Sequence, residues 1–344
     1  MASPHILILG PSWIGDMALA QSLFKVIKAR RPEAIIEVAA PGWTLPLLER
    51  MPEVDAAIAL PFKHGQLALS ERFRFGNQLR GKGYTQTILL TNSLKSAILP
   101  FAARIPRRTG FLGECRFGLL NDIRPLDKQK LPRTVDRFVA LGLEPGEQLP
   151  GQLPMPRLVA NPEHALQTLQ RLGHAAPHGP ILGLCPGAEY GPAKRWPASY
   201  FAETAKHALA QGWEVWLFGS HKDVPVTGEI NALTDGKCFD LGGETVLDEA
   251  IDLMALTSAV VSNDSGLMHI AAALARPLVV IYGATSPRFT PPLNANAAIL
   301  ASAIDCAPCF QRECPLGHHR CMRDTPVERV AGALDSLLAG AEPR

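Results

Sequence analysis

The chain has 344 residues, 47% hydrophobic and 19% charged, which excludes a disordered polymer and suits two folded domains rather than one core. Lys and Arg total 34 against 32 acidic residues, and a formal charge of +2 is too small for a general nucleic-acid binder. No apolar run has bilayer-spanning length, and Pro4-His5 leads into a short strand rather than a signal peptide; a cytoplasmic protein is expected, its seven cysteines being reduced thiols or metal ligands.

In chain order, strands are expected over 6–9, 35–39, 57–60 and 87–90, with helical spacing of apolar residues over 18–29. Strand–helix–strand repetition predicts a parallel sheet covered by helices on both faces. The loop after the first strand reads Gly10-Pro11-Ser12-Trp13-Ile14-Gly15-Asp16. Asp16 therefore opens a helix at the carboxyl edge of the sheet. It serves there either as a first-turn acid that complements the helix dipole or as a general base for an attacking hydroxyl. Trp13 is either a core residue or a wall for a sugar. Residues 76–82 have a P-loop outline, but Gly83 replaces the Ser/Thr that would hold magnesium, and the segment reads as a helix end.

Pro and Gly crowd residues 145–156, a helix-like stretch runs to Leu172, and 173–179 is a second cluster of breakers. A first domain over 1–155, a linker region over 156–179 and a second domain over 180–325 are expected. The remaining 326–344 carries an amphipathic helix, free to pack back on the first domain. The second half repeats the alternation, with strands over 181–185, 215–218, 259–262 and 278–282 and helices over 197–209, 247–256 and 266–274. The expected fold class is α/β: two Rossmann-like, doubly wound parallel-sheet domains facing across a cleft, with ligands at the carboxyl ends of the strands.

Two loops at those ends carry chemistry. The first, Cys185-Pro186-Gly187-Ala188-Glu189-Tyr190-Gly191-Pro192-Ala193-Lys194-Arg195-Trp196-Pro197, is Gly/Pro-rich and suits a phosphate. Lys194 would neutralise a leaving diphosphate, and Glu189 would accept hydrogen bonds from sugar or ribose hydroxyls. A solvated loop with two surface cations fits the same string. The second, Ser262-Asn263-Asp264-Ser265-Gly266-Leu267-Met268-His269, opens a helix with small residues that let backbone N–H groups approach an anion. Asp264 and Ser265 are equally ordinary helix caps. His269 is either a structural residue or a group beside the phosphates. No Gly-x-Gly-x-x-Gly follows the first strand, which disfavours a dinucleotide-dependent dehydrogenase. No Asp-x-Asp occurs to clamp a metal-bound diphosphate, so Lys, Arg and helix N-termini must meet that charge.

Taken together, Pro-Ser-Trp-x-Gly-Asp, Pro-Gly-Ala-Glu-x-Gly-Pro-Ala-Lys-Arg-Trp and Asn-Asp-Ser-Gly-Leu-Met-His resemble the ADP-heptose:lipopolysaccharide heptosyltransferases of glycosyltransferase family 9, which have the GT-B fold. The similarity runs from the first strand to about Pro292, through Asn92-Ser93-Leu94-Lys95-Ser96, Arg108-Thr109-Gly110 and Phe289-Thr290-Pro291-Pro292. The resemblance implies an inverting, cofactor-free transfer of heptose from ADP-L-glycero-D-manno-heptose to the first heptose of heptosyl-Kdo2-lipid A. It makes Asp16 the general base and Lys194 the lysine at the donor phosphates. Glu189, Tyr190, Asp264, Ser265, Gly266 and His269 then belong to the donor site. Type I members carry two threonines where Glu189 and Tyr190 stand, and this pair fits the type II pattern. Trp13, Lys95 and Arg108 are expected on the acceptor side. The alternatives are another GT-B nucleotide-sugar transferase, a nucleotide-sugar epimerase, or a non-catalytic nucleotide-binding module.

Such an acceptor is an anionic glycolipid. Arg104, Arg107, Arg108, Arg116 and Arg124, with Lys95 upstream, suit carboxylates and phosphates by their fork geometry, or form a solvated basic face. The same residues could hold the chain peripherally at the inner leaflet of the inner membrane. No nucleic-acid partner is expected. Separately, Cys306-x2-Cys309-x4-Cys314-x6-Cys321, with His318 and His319 between, fits a structural zinc site or four free thiols; an iron–sulfur cluster fits less well.

Overall fold

The computed structural model describes residues 3–62 and 65–339. The chain divides into two compact units, Met1–Leu158 and Val159–Arg344.

The first unit runs β1 (His5–Leu9), α1 (Ile14–Arg30), β2 (Ile35–Pro41), α2 (Leu45–Leu48), β3 (Ala56–Leu60), α3 (Leu69–Gln78), β4 (Gln86–Leu89), α4 (Leu94–Ala102), β5 (Arg107–Phe111), β6 (Asp122–Arg124) and α5 (Thr134–Gly142). Its sheet has the order β3-β2-β1-β4-β5-β6, with every pair parallel. β1 is central and its Ile6–Leu9 side chains are buried whichever face they point to, because helices cover both sides. That is why the strand reads as an unbroken apolar run and not as an alternation. Gly10 and Pro11 stop it. α1 then starts at an extended Trp13, with Asp16 in its first turn and Lys28 and Arg30 in its last, the arrangement the helix dipole favours.

The second unit runs α6 (Pro162–Arg171), β7 (Ile181–Cys185), α7 (Ala198–Ala210), β8 (Glu214–Leu217), α8 (Val224–Leu233), β9 (Phe239–Asp240), α9 (Leu247–Met254), β10 (Ala259–Asn263), α10 (Gly266–Ala273), β11 (Leu278–Tyr282), β12 (Ala297–Ala301), α11 (Arg320–Arg323) and α12 (Val327–Ala339). Its sheet order, β12-β11-β10-β7-β8-β9, is the first unit's order over again, counted from β7 and written from the other end. Both are the doubly wound mononucleotide-binding order, in which the strand order reverses between the first and fourth strands of the unit. That crevice lies between β1 and β4 in one unit and between β7 and β10 in the other.

Three features differ from the sequence expectation. The unit boundary falls at Leu158, not near Pro180, because α6 is docked on α9 and is no linker. Asn161 caps α6, His164 lies 2.7 Å from the Asp252 carboxylate, and Arg171 makes a forked contact with Glu249. The last helix packs within the second unit: Val330 and Leu334 of α12 join the core formed by Leu182, Val261, Val279 and Phe201. Finally, β5 was not expected as a strand, since it opens on Arg107 and Arg108 and only then turns apolar.

Candidate active site

In the second unit the donor-type loop between β7 and α7 is held at both ends. Asn263, the last residue of β10, donates from Nδ2 to the Pro186 carbonyl at 2.7 Å and accepts the Trp196 backbone N–H at 3.0 Å. Trp196 is fully buried, packs edge-on against Phe201, and donates from its indole to the Thr325 carbonyl at 2.9 Å. One buried amide thus spans the loop, and one buried indole anchors its end. Neither role was legible in the sequence. Close approach sets the glycines: a Cβ at Gly187 would overlap the Asp223 carboxylate, and one at Gly191 would overlap the Arg312 carbonyl.

Between those anchors lies Lys194. Its ammonium is 2.6 Å from the Asp264 carboxylate and donates to the Asp264 carbonyl at 3.1 Å. Both side chains are largely withdrawn from water, at 13% and 5% exposure, so the contact fixes the lysine in place and removing either partner would strand the other's charge. The Thr285 hydroxyl donates to the same carboxylate at 2.5 Å. Ser265 caps α10, accepting from the Met268 N–H, and Gly266 is the first helical residue. The structure therefore gathers Lys194, Asp264, Ser265 and Gly266 at the carboxyl edge of β10, with the positive end of an eight-residue helix beside an ammonium. The Asp264 carboxylate offsets the ammonium's charge, and the helix N-terminus adds backbone N–H groups beside the pair.

The other expected donor residues behave differently. Glu189 is exposed and ion-paired with Lys222 at 2.5 Å, a surface contact of little energetic weight. Tyr190 spends its hydroxyl on the Phe310 carbonyl at 2.6 Å, while its ring lies 5.2 Å from the Lys194 ammonium; it props the lysine. His269 is buried, and that burial pulls its pKa from 6.5 down to about 4, so the imidazole is neutral and supplies no charge to a phosphate at neutral pH. The shift has a stability consequence. The unfolded chain takes up a proton on this group near pH 6.5, whereas the folded chain does so only near pH 4. The stabilisation is thus fully present above pH 6.5 and is lost as the pH falls towards 4. Roughly 3 kcal/mol should disappear over that window, and His269→Gln should remove this component of the pH dependence. Urea unfolding of both proteins at about pH 8 and about pH 4.5 checks it; an unchanged pH dependence in the variant refutes the assignment.

In the first unit Asp16, partly exposed, stands in the first turn of α1 at the carboxyl edge of β1. Beside it Trp13 is 42% exposed and so is no core residue. Trp43, which follows β2, is 51% exposed and donates from its indole to the Ser12 carbonyl at 3.0 Å. Two exposed indoles flank the Asp16 loop, and the second was missed because nothing around Trp43 in the sequence marks it. Lys95 lies in the first turn of α4, also at the carboxyl edge.

The arginine cluster is a correction. Arg108 lies near the amino end of β5, away from that edge, and its guanidinium donates to the Ile105 and Leu119 carbonyls at 2.7 and 2.6 Å. Arg116 is fully buried, donating to the Thr91 and Phe111 carbonyls and to Asn92. Arg107 pairs with Asp122 and Glu144, and Arg124 with Asp122. These guanidiniums are committed to the fold, satisfying carbonyls and carboxylates that sequence could not place beside them.

Two doubly wound parallel-sheet units, the second with Lys194 and the α10 N-terminus at its switch point, have the architecture of the GT-B fold. The description "Glycosyltransferase family 9 (heptosyltransferase)" matches residues 72–320, and the chain belongs to that family. It is 45% identical to lipopolysaccharide heptosyltransferase 2 of Escherichia coli K12, over 98% of this chain and 99% of the relative. It is 44% identical to lipooligosaccharide heptosyltransferase 2 of Haemophilus influenzae, over 97% and 99%. The solved structure of E. coli ADP-heptose LPS heptosyltransferase II superposes with a TM-score of 0.88 at 44% identity, covering 98% of this chain and all of that one.

Proposed function

We propose that this chain transfers heptose from ADP-L-glycero-D-manno-heptose to the first heptose of heptosyl-Kdo2-lipid A, with inversion and without a cofactor. The observation that carries the reading is the cradle of Lys194, Asp264 and the α10 N-terminus, in a chain alike along its whole length to type 2 heptosyltransferases. Asp16 takes the proton from the acceptor hydroxyl as its oxygen attacks the anomeric carbon opposite the ADP. The transition state has oxocarbenium character, as in other glycosyl transfers. Negative charge grows on the departing diphosphate, and Lys194 with the helix dipole stabilises it where it develops. In this reading no metal is needed, since the ammonium supplies the counter-charge. Trp13 and Trp43 offer apolar faces to the acceptor sugars. Incubation with ADP-heptose and heptosyl-Kdo2-lipid A, followed by mass analysis of the lipid, tests the reading. A gain of one heptose is expected; ADP release without lipid modification would defeat it.

Contact with the inner leaflet is part of the same reading. No helix among the described residues is long and apolar enough to cross a membrane. At the amino edge of the first unit, exposed Arg104 stands with exposed Phe73 and Phe101 at a cavity of about 360 Å³, whose other cations, Arg80 and Arg108, also donate to the Ala102, Ile105 and Leu119 carbonyls. Cations beside exposed rings suit anionic lipid headgroups, each Lys or Arg near such a surface contributing about 1 kcal/mol. Replacing Arg104 with Glu should weaken binding to vesicles containing phosphatidylglycerol by tenfold or more, with less effect in high salt. Equal vesicle binding by both proteins would remove this face from consideration.

A further inference from the structure

The cysteine-rich segment was set apart in the sequence, and nothing in the transfer chemistry uses it. Between β12 and α11, residues 302–319 form neither helix nor strand. Segments of that length without secondary structure need some other source of order. Its hydrophobic anchors are few: Ile304 and Ala307 are partly buried against the second unit's core, and Cys321 is buried in it. Yet the segment makes specific contacts with the donor loop. The Arg312 carbonyl accepts the Ala193 N–H at 3.1 Å, next to Lys194, and the Phe310 carbonyl accepts the Tyr190 hydroxyl. Phe310 is itself fixed by donating its N–H to the Ala284 carbonyl at 2.7 Å.

Cys306, Cys309, Cys314 and Cys321 all line one cavity of about 20 Å³, walled by Ala193 and Ala284. That volume suits a single water-sized body. Among the described residues no group of three or more His, Cys, Asp or Glu side chains is already closed on a metal position. The thiols ring the cavity and must draw inward to ligate, with Cys321 held in α11 and Cys306, Cys309 and Cys314 on the segment free of helix and strand.

We propose that Cys306, Cys309, Cys314 and Cys321 bind one zinc ion, which rivets the 302–319 segment beneath the loop carrying Lys194. Four thiolates would fill the four positions of a tetrahedral ion, which would make the site structural. Each thiol ligates as a thiolate and gives up its proton to solvent, with no redox change. The site stands independently of the transfer reading; only its effect on the donor rests on that reading.

Elemental analysis of the reduced chain, purified without chelator or added metal, should find about one zinc per chain. A mercurial reagent that titrates thiols should release it. Should zinc be lost in purification, anaerobic titration of the stripped chain with Co²⁺ should give the absorption bands of tetrahedral thiolate-bound cobalt at one equivalent. The Cys306→Ser/Cys309→Ser variant, checked for folding by circular dichroism, should retain less than a tenth of the zinc. Zinc-stripped native protein should show a KM for ADP-heptose about tenfold higher, because a displaced Lys194 loop holds the donor poorly. Iron in place of zinc, or no metal retained and no cobalt bands, overturns the site. Zinc bound with the KM unchanged on stripping overturns its link to the Lys194 loop. An inactive protein with full zinc would count against the transfer reading and leave the metal site standing.

Discussion

Asp16→Asn is expected to lower the rate of heptose transfer by about 10²- to 10⁴-fold, the range a positioned general base contributes, while ADP-heptose binding stays within twofold of the parent. The expectation follows from place and chemistry together. Asp16 stands where the carboxyl end of β1 meets the positive end of α1, and Trp13 and Trp43 are exposed beside it. A carboxylate complements the positive end of a helix. Asp16 also engages a partner within the fold, which makes asparagine the informative replacement: it keeps the shape and one acceptor oxygen but cannot accept the hydroxyl proton. Ala would mix loss of the base with loss of that contact. Calorimetric titration with ADP-heptose and a transfer assay at saturating acceptor separate binding from chemistry. If transfer is retained, the base lies elsewhere; if binding and transfer fall together, Asp16 is holding structure.

The elements legible in the sequence were those whose cause is local. β1, β7, β10 and β11 are buried on both faces and so read as apolar stretches without alternation, interrupted by Gly183 in β7 and ending on Ser262 and Asn263 in β10. The turn into α10 was legible because Ser265 caps it by its own chemistry. What escaped depends on partners distant in the chain. β5 hid behind two arginines, whose carboxylate and carbonyl partners come from residues 105, 119, 122 and 144. β9 has two residues and β6 three, too short for any period to register. Asn263 reads as a loop residue, and only the fold brings it to Pro186 and Trp196. In the cradle, Lys194 and Asp264 were each singled out, but their pairing across seventy residues is a product of β7 and β10 lying side by side.

That pairing allows structure and catalysis to be separated. Lys194→Met should lower kcat/KM for the donor by about 10²- to 10³-fold, as removal of one preorganised charge donor does elsewhere. It should also destabilise the second unit, because the Asp264 carboxylate, 5% exposed, is left buried without its counter-charge; breaking such a pair costs about 3–5 kcal/mol. Adding Asp264→Asn removes the stranded charge, and its amide oxygen can still accept from the Thr285 hydroxyl. The double variant should therefore regain most of the stability in chemical denaturation. It should regain none of the transfer, since no positive charge returns to meet the developing diphosphate. A double variant that recovers activity along with stability would mean that Lys194 acts only by holding Asp264 in place. One that stays unstable would mean that the ion pair is not what secures α10 against the donor loop.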